Sequence, residues 1–295
     1  MRKHNFHPYA AVTIIFWSLA YVLTRLTLRH FSPVSLGFLR YLIASCALAG
    51  IAVFTRMKPP RRADLPWFLA AGGAGFFFYM IAFNPGQAAV TAATGSVVIA
   101  TAPVITAALA RVVYGETLRA HQWTATGVEF LGVVVLTLLK GGFSMNPGLI
   151  WLFLAALALG IYNLLQRKLT ADYSALQTST YSIFFGTLLL AVFAPASLRE
   201  LGDAPSRQLL YLVILGVCSS AIAYVSWAKA FSLAKQASLV SNYMFLTPFL
   251  TSLLGFFMAG ETPDLATLLG GGILLAGLFL FQFGGKWQGP SRQTY

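Results

Sequence analysis

Trp17, Tyr21 and Thr24 recur at i, i+4 and i+7, which places two aromatic rings and a hydroxyl on one stripe of a helix. Further along come Tyr79, then Ser96 and Thr101, then Asn163, then Tyr224 with Trp227, and finally Ser241, Asn242 and Phe245. These residue types do no covalent chemistry. They can stack on an apolar solute, meet an amine by cation–π contact and hydrogen-bond a small neutral group. Nothing supplies a nucleophile–base set or a phosphate loop of the G-x-x-x-x-G-K-[ST] type. The four histidines, His4, His7, His30 and His121, form no H-E-x-x-H, so the expectation is no catalytic residue, no metal and no cofactor. Two charges interrupt long apolar runs, Arg40 and Glu129, and Glu129 is the only carboxylate near the middle of one. At membrane depth such groups are functional candidates by default, here for ion coupling. Beside this stand the plainer roles of a structural polar contact for Glu129 and of bonds to helix-end carbonyls or an acidic partner for Arg40, which could also meet a substrate carboxylate.

The elements that must position these residues follow from composition. Of 295 residues 58% are apolar or aromatic and 9% charged, with a mean hydropathy of +0.73. A soluble domain carries about 25% charged residues. The net charge of +12 is explained by topology, so no nucleic-acid partner is required. Apolar runs of about 20 residues, enough to cross a bilayer, occur at 8–28, 33–54, 64–84, 88–110, 121–139, 148–166, 175–195, 207–228, 237–259 and 264–284. Breaks between them carry turn signals, among them Lys58-Pro59-Pro60, Asn84-Pro85-Gly86 and Asn146-Pro147-Gly148. The expected fold is an all-α integral membrane protein of ten transmembrane helices. Alternate connections collect 14 Lys and Arg on one side, from Arg2 and Lys3 through to Lys286 and Arg292. The other side holds five: Arg25, Arg29, Lys140, Arg199 and Arg207. Both termini are therefore expected in the cytoplasm. Cys46 and Cys218 lie within apolar runs, which speaks against a disulfide framework or a zinc site.

The chain also repeats itself. At an offset of 145, Ala102-Pro103 falls on Thr247-Pro248, Gly115-Glu116-Thr117 on Gly260-Glu261-Thr262, Gly132 on Gly277, Ser96 on Ser241 and Tyr79 on Tyr224. At an offset of 142, Thr24-Arg25 falls on Gln166-Arg167 and Ser32 on Ser174. Each copy, 8–139 and 148–284, holds five spans. An odd number makes the second copy enter the membrane from the opposite face, which is the plan of transporters whose solute site lies at the midplane between two halves.

Phe16-Trp17-Ser18, Leu39-Arg40-Tyr41, Ala100-Thr101-Ala102-Pro103, Tyr114-Gly115-Glu116-Thr117 and the second Gly260-Glu261-Thr262 together resemble the drug/metabolite transporter superfamily. Within it they resemble the EamA-type exporters with two five-helix repeats, and the aromatic-rich interior is similar to the YddG-like aromatic amino acid exporters. That resemblance implies a secondary transporter of small amphipathic solutes in a bacterial inner membrane, moving amino acids, aromatic ones by preference, outwards by alternating access. Exporters of organic cations or drugs and exchangers of nucleotide sugars or sugar phosphates belong to the same superfamily. Phosphate-bearing solutes would call for several lining Lys or Arg, and the interior offers little beyond Arg40. The implied partners are a small-molecule substrate and the lipid bilayer, and the expected state is a monomer.

The plainer roles of the same residues stand beside these. Ser and Thr in spans also bond their own helix or a neighbour. Trp67 and Trp151 read as interfacial anchors, and Arg25 and Lys229 as snorkelling cations. Pro103 and Pro248 bend their helices, and their matched positions make them candidate gating hinges. Glu116 and Glu261 read as caps of the helices that follow them.

Overall fold

The computed structural model describes residues 5–139, 147–260, 262 and 265–287, and among them every regular element is helical. Arg2, Lys3, Lys140, Asn146, Glu261 and Arg292, with the side chain of Lys286, lie outside the described residues. Four long helices open the chain: α1 (His7–Thr27), α2 (Pro33–Phe54), α3 (Arg62–Ala89) and α4 (Ala92–Tyr114). After α5 (Ala120–Leu139) come α6 (Pro147–Asp172), α7 (Ala175–Gly202), α8 (Ser206–Leu233), α9 (Ala237–Ala259) and α10 (Leu265–Trp287). Among the described residues eight helices, α1–α4 and α6–α9, are long and apolar enough to cross a membrane, and α10 carries a shorter apolar stretch, Leu268–Phe281.

Local chemistry sets most of these boundaries. Ser32 and Ser174 cap α2 and α7, the latter in a reciprocal capping box with Gln177. Thr91 caps α4, its hydroxyl accepting from the Thr94 amide at 3.2 Å. Gly115 and Gly260 end α4 and α9 at φ +64° and +65°, a left-handed turn that glycine adopts without a Cβ penalty. The Asn84-Pro85-Gly86 break expected from the sequence is absent: Pro85 lies inside α3, which runs on to Ala89. Two contacts hold the chain helical there. The Asn84 side-chain amide donates to the Pro33 carbonyl at 2.7 Å, and Gly86 lies so close to Leu152 and the Gly148 carbonyl of α6 that a Cβ would not fit.

The helices pair in a pattern that survives exchange of the two halves. α3 packs on α6 as α8 packs on α1; α4 packs on α6 as α9 on α1; α3 packs on α7 as α8 on α2. α2–α7 and α5–α10 pair across the exchange. α5 and α10 run antiparallel, with His121 at Gly284, Glu129 at Gly277 and Gly132 at Leu274 and Gly270. The backbone irregularities also match. π-helical segments occupy Gly73–Phe78 of α3 and Val217–Ile222 of α8. α4 breaks at Ala100-Thr101, and α9 passes through a tight 3₁₀ stretch over Asn242–Leu246. Pro103 and Pro248 fall in the first turn of the segments that follow, where a missing N–H costs little. The first half of α4 lies on the second half of α9, and the first half of α9 on the second half of α4.

Neighbouring glycines in α3 separate close packing from open space. A Cβ on Gly72 would sit 2.7 Å from the Gly186 nitrogen and the Ser182 carbonyl of α7, whereas one on Gly73 would meet only Leu189 at 3.8 Å. Gly72→Ala should therefore destabilise the detergent-purified protein by about 1–3 kcal/mol through overpacking against backbone. Gly73→Ala should stay within about 0.5 kcal/mol of wild type. Thermal unfolding of the two variants side by side checks the α3–α7 contact, and equal losses would refute it.

Candidate functional site

A narrow cavity lies where α1, α2, α3, α4, α6, α8 and α9 converge, with about 20 Å³ of it open to a water-sized sphere. Its lining joins Trp17, Ala20 and Tyr21 of α1, Arg40 of α2, and Tyr79 and Phe83 of α3. Ser96, Ile99 and Ala100 of α4, Leu159 of α6, Tyr224 of α8, and Met244 and Thr247 of α9 complete it. The rings touch one another in ordered pairs. Tyr79 stacks on Phe83 at 5.1 Å, Tyr21 meets Phe83 edge-on at 5.3 Å, and Trp17 lies 5.1 Å from Tyr224 and 5.0 Å from Trp227. Polar atoms in this wall are incompletely used: Trp17 Nε1 and Thr247 Oγ1 are buried with no hydrogen-bond partner.

The residues singled out from the sequence sort into several places. Trp17, Tyr21, Tyr79, Ser96 and Tyr224 line the central cavity together with Arg40. Asn163 and Trp227 stand just behind it, joined to each other. The Trp227 indole N–H donates to Asn163 Oδ1 at 3.0 Å, and the Asn163 amide donates to Thr106 at 3.1 Å. Thr101 and Ser241 turn back onto their own helices, donating to the carbonyls of Val98 and Ser238. Asn242 and Phe245 line a second, smaller crevice, too tight for a water-sized sphere, with Pro103, Val104, Thr126, Glu129, Ser238 and Phe281. There Glu129 Oε1, Thr126 Oγ1 and both polar atoms of the Asn242 side chain are buried without a partner. Pro248 borders neither; it lies in an apolar groove with Phe249, Leu253 and Phe256, on an otherwise exposed face. Phe83 and Thr247 were not foreseen. The signals were present, because Phe83 is one turn from Tyr79 and Thr247 is the repeat mate of Ala102.

Both sequence-based readings of exposed charge need correction. Glu116 does not cap the helix that follows it. Its carboxylate forms an ion pair with Arg167 of α6 and accepts from the Ala237 amide at 3.2 Å and the Ser238 hydroxyl at 3.4 Å, at the start of α9. The Gly115 turn swings Glu116 off the helix axis, so its oxygens meet the free N–H groups of another helix. Arg167 also covers the Tyr114 ring at 4.8 Å, and the Tyr114 hydroxyl donates to the Leu164 carbonyl at 2.9 Å. One end of α4 is thereby tied to α6 and α9 of the other half. Arg25 is not a simple snorkelling cation either, since it donates to the Gln87 and Ala88 carbonyls at the end of α3.

Two stretches of the chain, residues 7–138 and 146–283, each match the EamA-like transporter family. The chain belongs to that family. Two EamA-like repeats therefore make up a multi-pass membrane transporter of the drug/metabolite transporter superfamily, which handles a small-molecule substrate within a lipid bilayer. A probable terminal-alkyne amino-acid exporter of Streptantibioticus cattleyicolor is 32% identical over 270 residues, covering 91% of this chain and 90% of that protein. The uncharacterized transporter YdfC of Bacillus subtilis is 31% identical over 265 residues, 89% of this chain and 86% of that one. An S-adenosylmethionine uptake transporter of Rickettsia prowazekii is 26% identical over 245 residues, 83% and 81% of the two chains. A solved crystal structure superposes with a TM-score of 0.67 at 18% identity, covering 95% of this chain and 99% of its own, which is a likeness of fold. These relatives of the EamA transporter are named transporters, not enzymes.

The Glu116–Arg167 tie joins the two EamA-like repeats, and its carboxylate is almost fully buried, at 5% side-chain exposure. Glu116→Gln and Arg167→Gln should each lower thermal stability, because each strands the other's charge. The double variant should lose less than the sum, with a coupling of about 1–2 kcal/mol. Additive losses in the cycle would show that the pair contributes no mutual energy.

Proposed function

We propose that this EamA transporter is a secondary exporter of amino acids, aromatic ones by preference, across the bacterial inner membrane. On this reading it has ten spans, arranged as two inverted five-helix repeats over 8–139 and 148–284. Both termini are cytoplasmic, the protein works as a monomer, and the repeats rock about the central cavity. The observation that carries the reading is the exchange of partners between halves around a narrow aromatic cavity. A two-fold relation between repeats offers two equivalent rocked states of a single site. The antiparallel α5–α10 crossing, with Glu129 at Gly277 matched by Leu274 at Gly132, supports the inversion.

The solute class follows from the wall chemistry. Trp17, Tyr21, Tyr79, Phe83 and Tyr224 suit a flat ring and an ammonium group. The named solutes of two relatives, a terminal-alkyne amino acid and S-adenosylmethionine, both carry an α-amino-acid group. The first of these relatives is an exporter and also the more similar, which favours outward transport. A nucleotide-sugar or sugar-phosphate exchanger fits less well, since Arg40 is the single cation in the lining. An exporter of organic cations would use the same rings but would gain nothing from Arg40.

In this reading Trp17, Tyr21, Tyr79, Ser96 and Tyr224 contact the solute, and Asn163 and Trp227 brace that wall from behind. Thr101, Ser241, Asn242 and Phe245 belong to the moving α4–α9 crossing, with Pro103 and Pro248 as its hinges. Glu129 is the ion-coupling group, placed where α5 and α10 cross and where its oxygen has no partner. Its cavity neighbours Pro103, Val104, Thr126, Ser238, Asn242, Phe245 and Phe281 carry no charge. The next titratable group on α5 is His121, two turns away, about 12 Å along the axis.

Proteoliposomes holding the purified chain should move labelled phenylalanine, tyrosine or tryptophan, and an imposed pH gradient should change their steady-state accumulation. Glu129→Gln should retain exchange and lose the response to the gradient. Transport indifferent to pH in wild type would remove Glu129 from the mechanism. A sugar nucleotide exchanging while no amino acid moves would overturn the assignment of solute.

A further inference from the structure

Arg40 is 3% exposed, in the interior of α2, and belongs to the wall of the central cavity. A guanidinium is permanently charged and carries five N–H donors. Two are used: Nε donates to Ser220 Oγ at 2.6 Å and Nη2 to the Ser219 carbonyl at 3.3 Å. Both acceptors are neutral. Among the described residues no Asp or Glu lines the cavity, and each of those acids stands elsewhere. Asp64 and Asp172 pair with Arg61, Glu116 with Arg167, and Glu200 holds Ser32 and Ser35. Glu129 borders the second cavity, and Asp203 lies just past the end of α7. A buried cation without a counter-ion is strongly disfavoured at membrane depth, and it persists where something else supplies the negative charge.

The surroundings show the shape of the missing charge. Ser219 and Ser220 lie in the π-helical segment of α8, and their two bonds hold the guanidinium from one side. Trp17 Nε1, a donor, and Thr247 Oγ1 line the same cavity and have no partner. A guanidinium fork, an indole N–H and a hydroxyl lining one cavity are groups that bond the oxygens of a carboxylate. The rings of Tyr79, Phe83 and Tyr224 are left for the rest of the molecule. At the offset that aligns the Ser32 and Ser174 caps, the residue equivalent to Arg40 is Ser182, so one half alone carries the charge.

We propose that Arg40 is the carboxylate seat of the central cavity, with Trp17 Nε1 and Thr247 Oγ1 completing it. The solute class is then one bearing a carboxylate, and amines without one are poor ligands. This rests on the cavity being the solute site; it is independent of whether the solute is aromatic and of which way it travels.

The test is binding to the purified full chain in detergent, read by ligand-induced rise in unfolding temperature. The probes are L-phenylalanine, 3-phenylpropionate and phenethylamine, with L-leucine and 3-methylbutylamine as an aliphatic pair. In wild type both phenyl carboxylates should bind about tenfold or more tightly than phenethylamine. Arg40→Gln should remove that preference by weakening the two carboxylates while phenethylamine, relieved of a like charge, binds no more weakly than before. Arg40→Lys should weaken the preference while keeping its sign. If Arg40→Gln does not fold, the wild-type series and Arg40→Lys still decide. Acid preference in the leucine pair alone would overturn the aromatic assignment and keep the seat. The seat is overturned if amines bind as well as acids, if no carboxylate produces a shift, or if chloride alone reproduces the whole effect. All probes weakening together in both variants would likewise overturn it.

Discussion

A backbone inside hydrocarbon must find its hydrogen bonds within the protein, and two departures from a regular helix among the described residues show how that requirement is met. The π-helical segment of α8 is the clearest case. Around it, Arg40 donates to the Ser219 carbonyl, Ser179 to the Tyr224 carbonyl and Thr13 to the Ala223 carbonyl, and Ser219 returns a bond to Phe16 of α1. At the α4 break Thr101 takes the Val98 carbonyl. The irregular backbone of α8 is thus found where polar side chains from several helices converge, and two residues in those bonds, Arg40 and Tyr224, also line the central cavity. Bonds that make a broken helix tolerable in lipid therefore also hold part of the cavity wall.

Much of the fold was legible because apolarity and capping are local. The limits read for α1 and α2 agree with the structure to within a residue, and the Ser32 and Ser174 equivalence reappears as two matching N-caps. Where limits failed, a tertiary contact was responsible. α7 runs past the expected residue 195 to Gly202 because Glu200 turns inward onto Ser32 and Ser35, and counting apolar residues cannot see a carboxylate that is wanted inside. α3 continues through Pro85 for the same kind of reason, a side-chain bond from Asn84 and a close approach to α6. At the site, periodicity found the α1 stripe and the matched tyrosines, Tyr79 and Tyr224. It could not tell that Asn163 and Trp227 satisfy each other, or that Glu116 reaches across to α9. Those depend on which helix faces which.

The two halves agree in much of what builds the scaffold and differ at the two charges within their helices, Arg40 and Glu129. The Ser32 and Ser174 caps, the π-helical segments, the helix breaks and the terminal glycines have mates, and so do most pairings of the helices. Arg40 stands where the second repeat has Ser182, and Glu129 where it has Leu274. A perfectly two-fold cavity would present two equal charges to one solute and would have no way to orient a molecule with unlike ends. On the proposed reading, breaking the symmetry at a single cation would give one end of an amphipathic solute a fixed place, while the rings, Tyr79 and Tyr224 of them matched across the halves, would accept the remainder in either rocked state. On the same reading, breaking it at a single acid, in a separate space beside α5, would keep proton exchange apart from the solute's own charge. Repetition of the scaffold would then supply two related states, and Arg40 and Glu129, which have no mates in the other half, would be what makes the passage between them depend on a cargo.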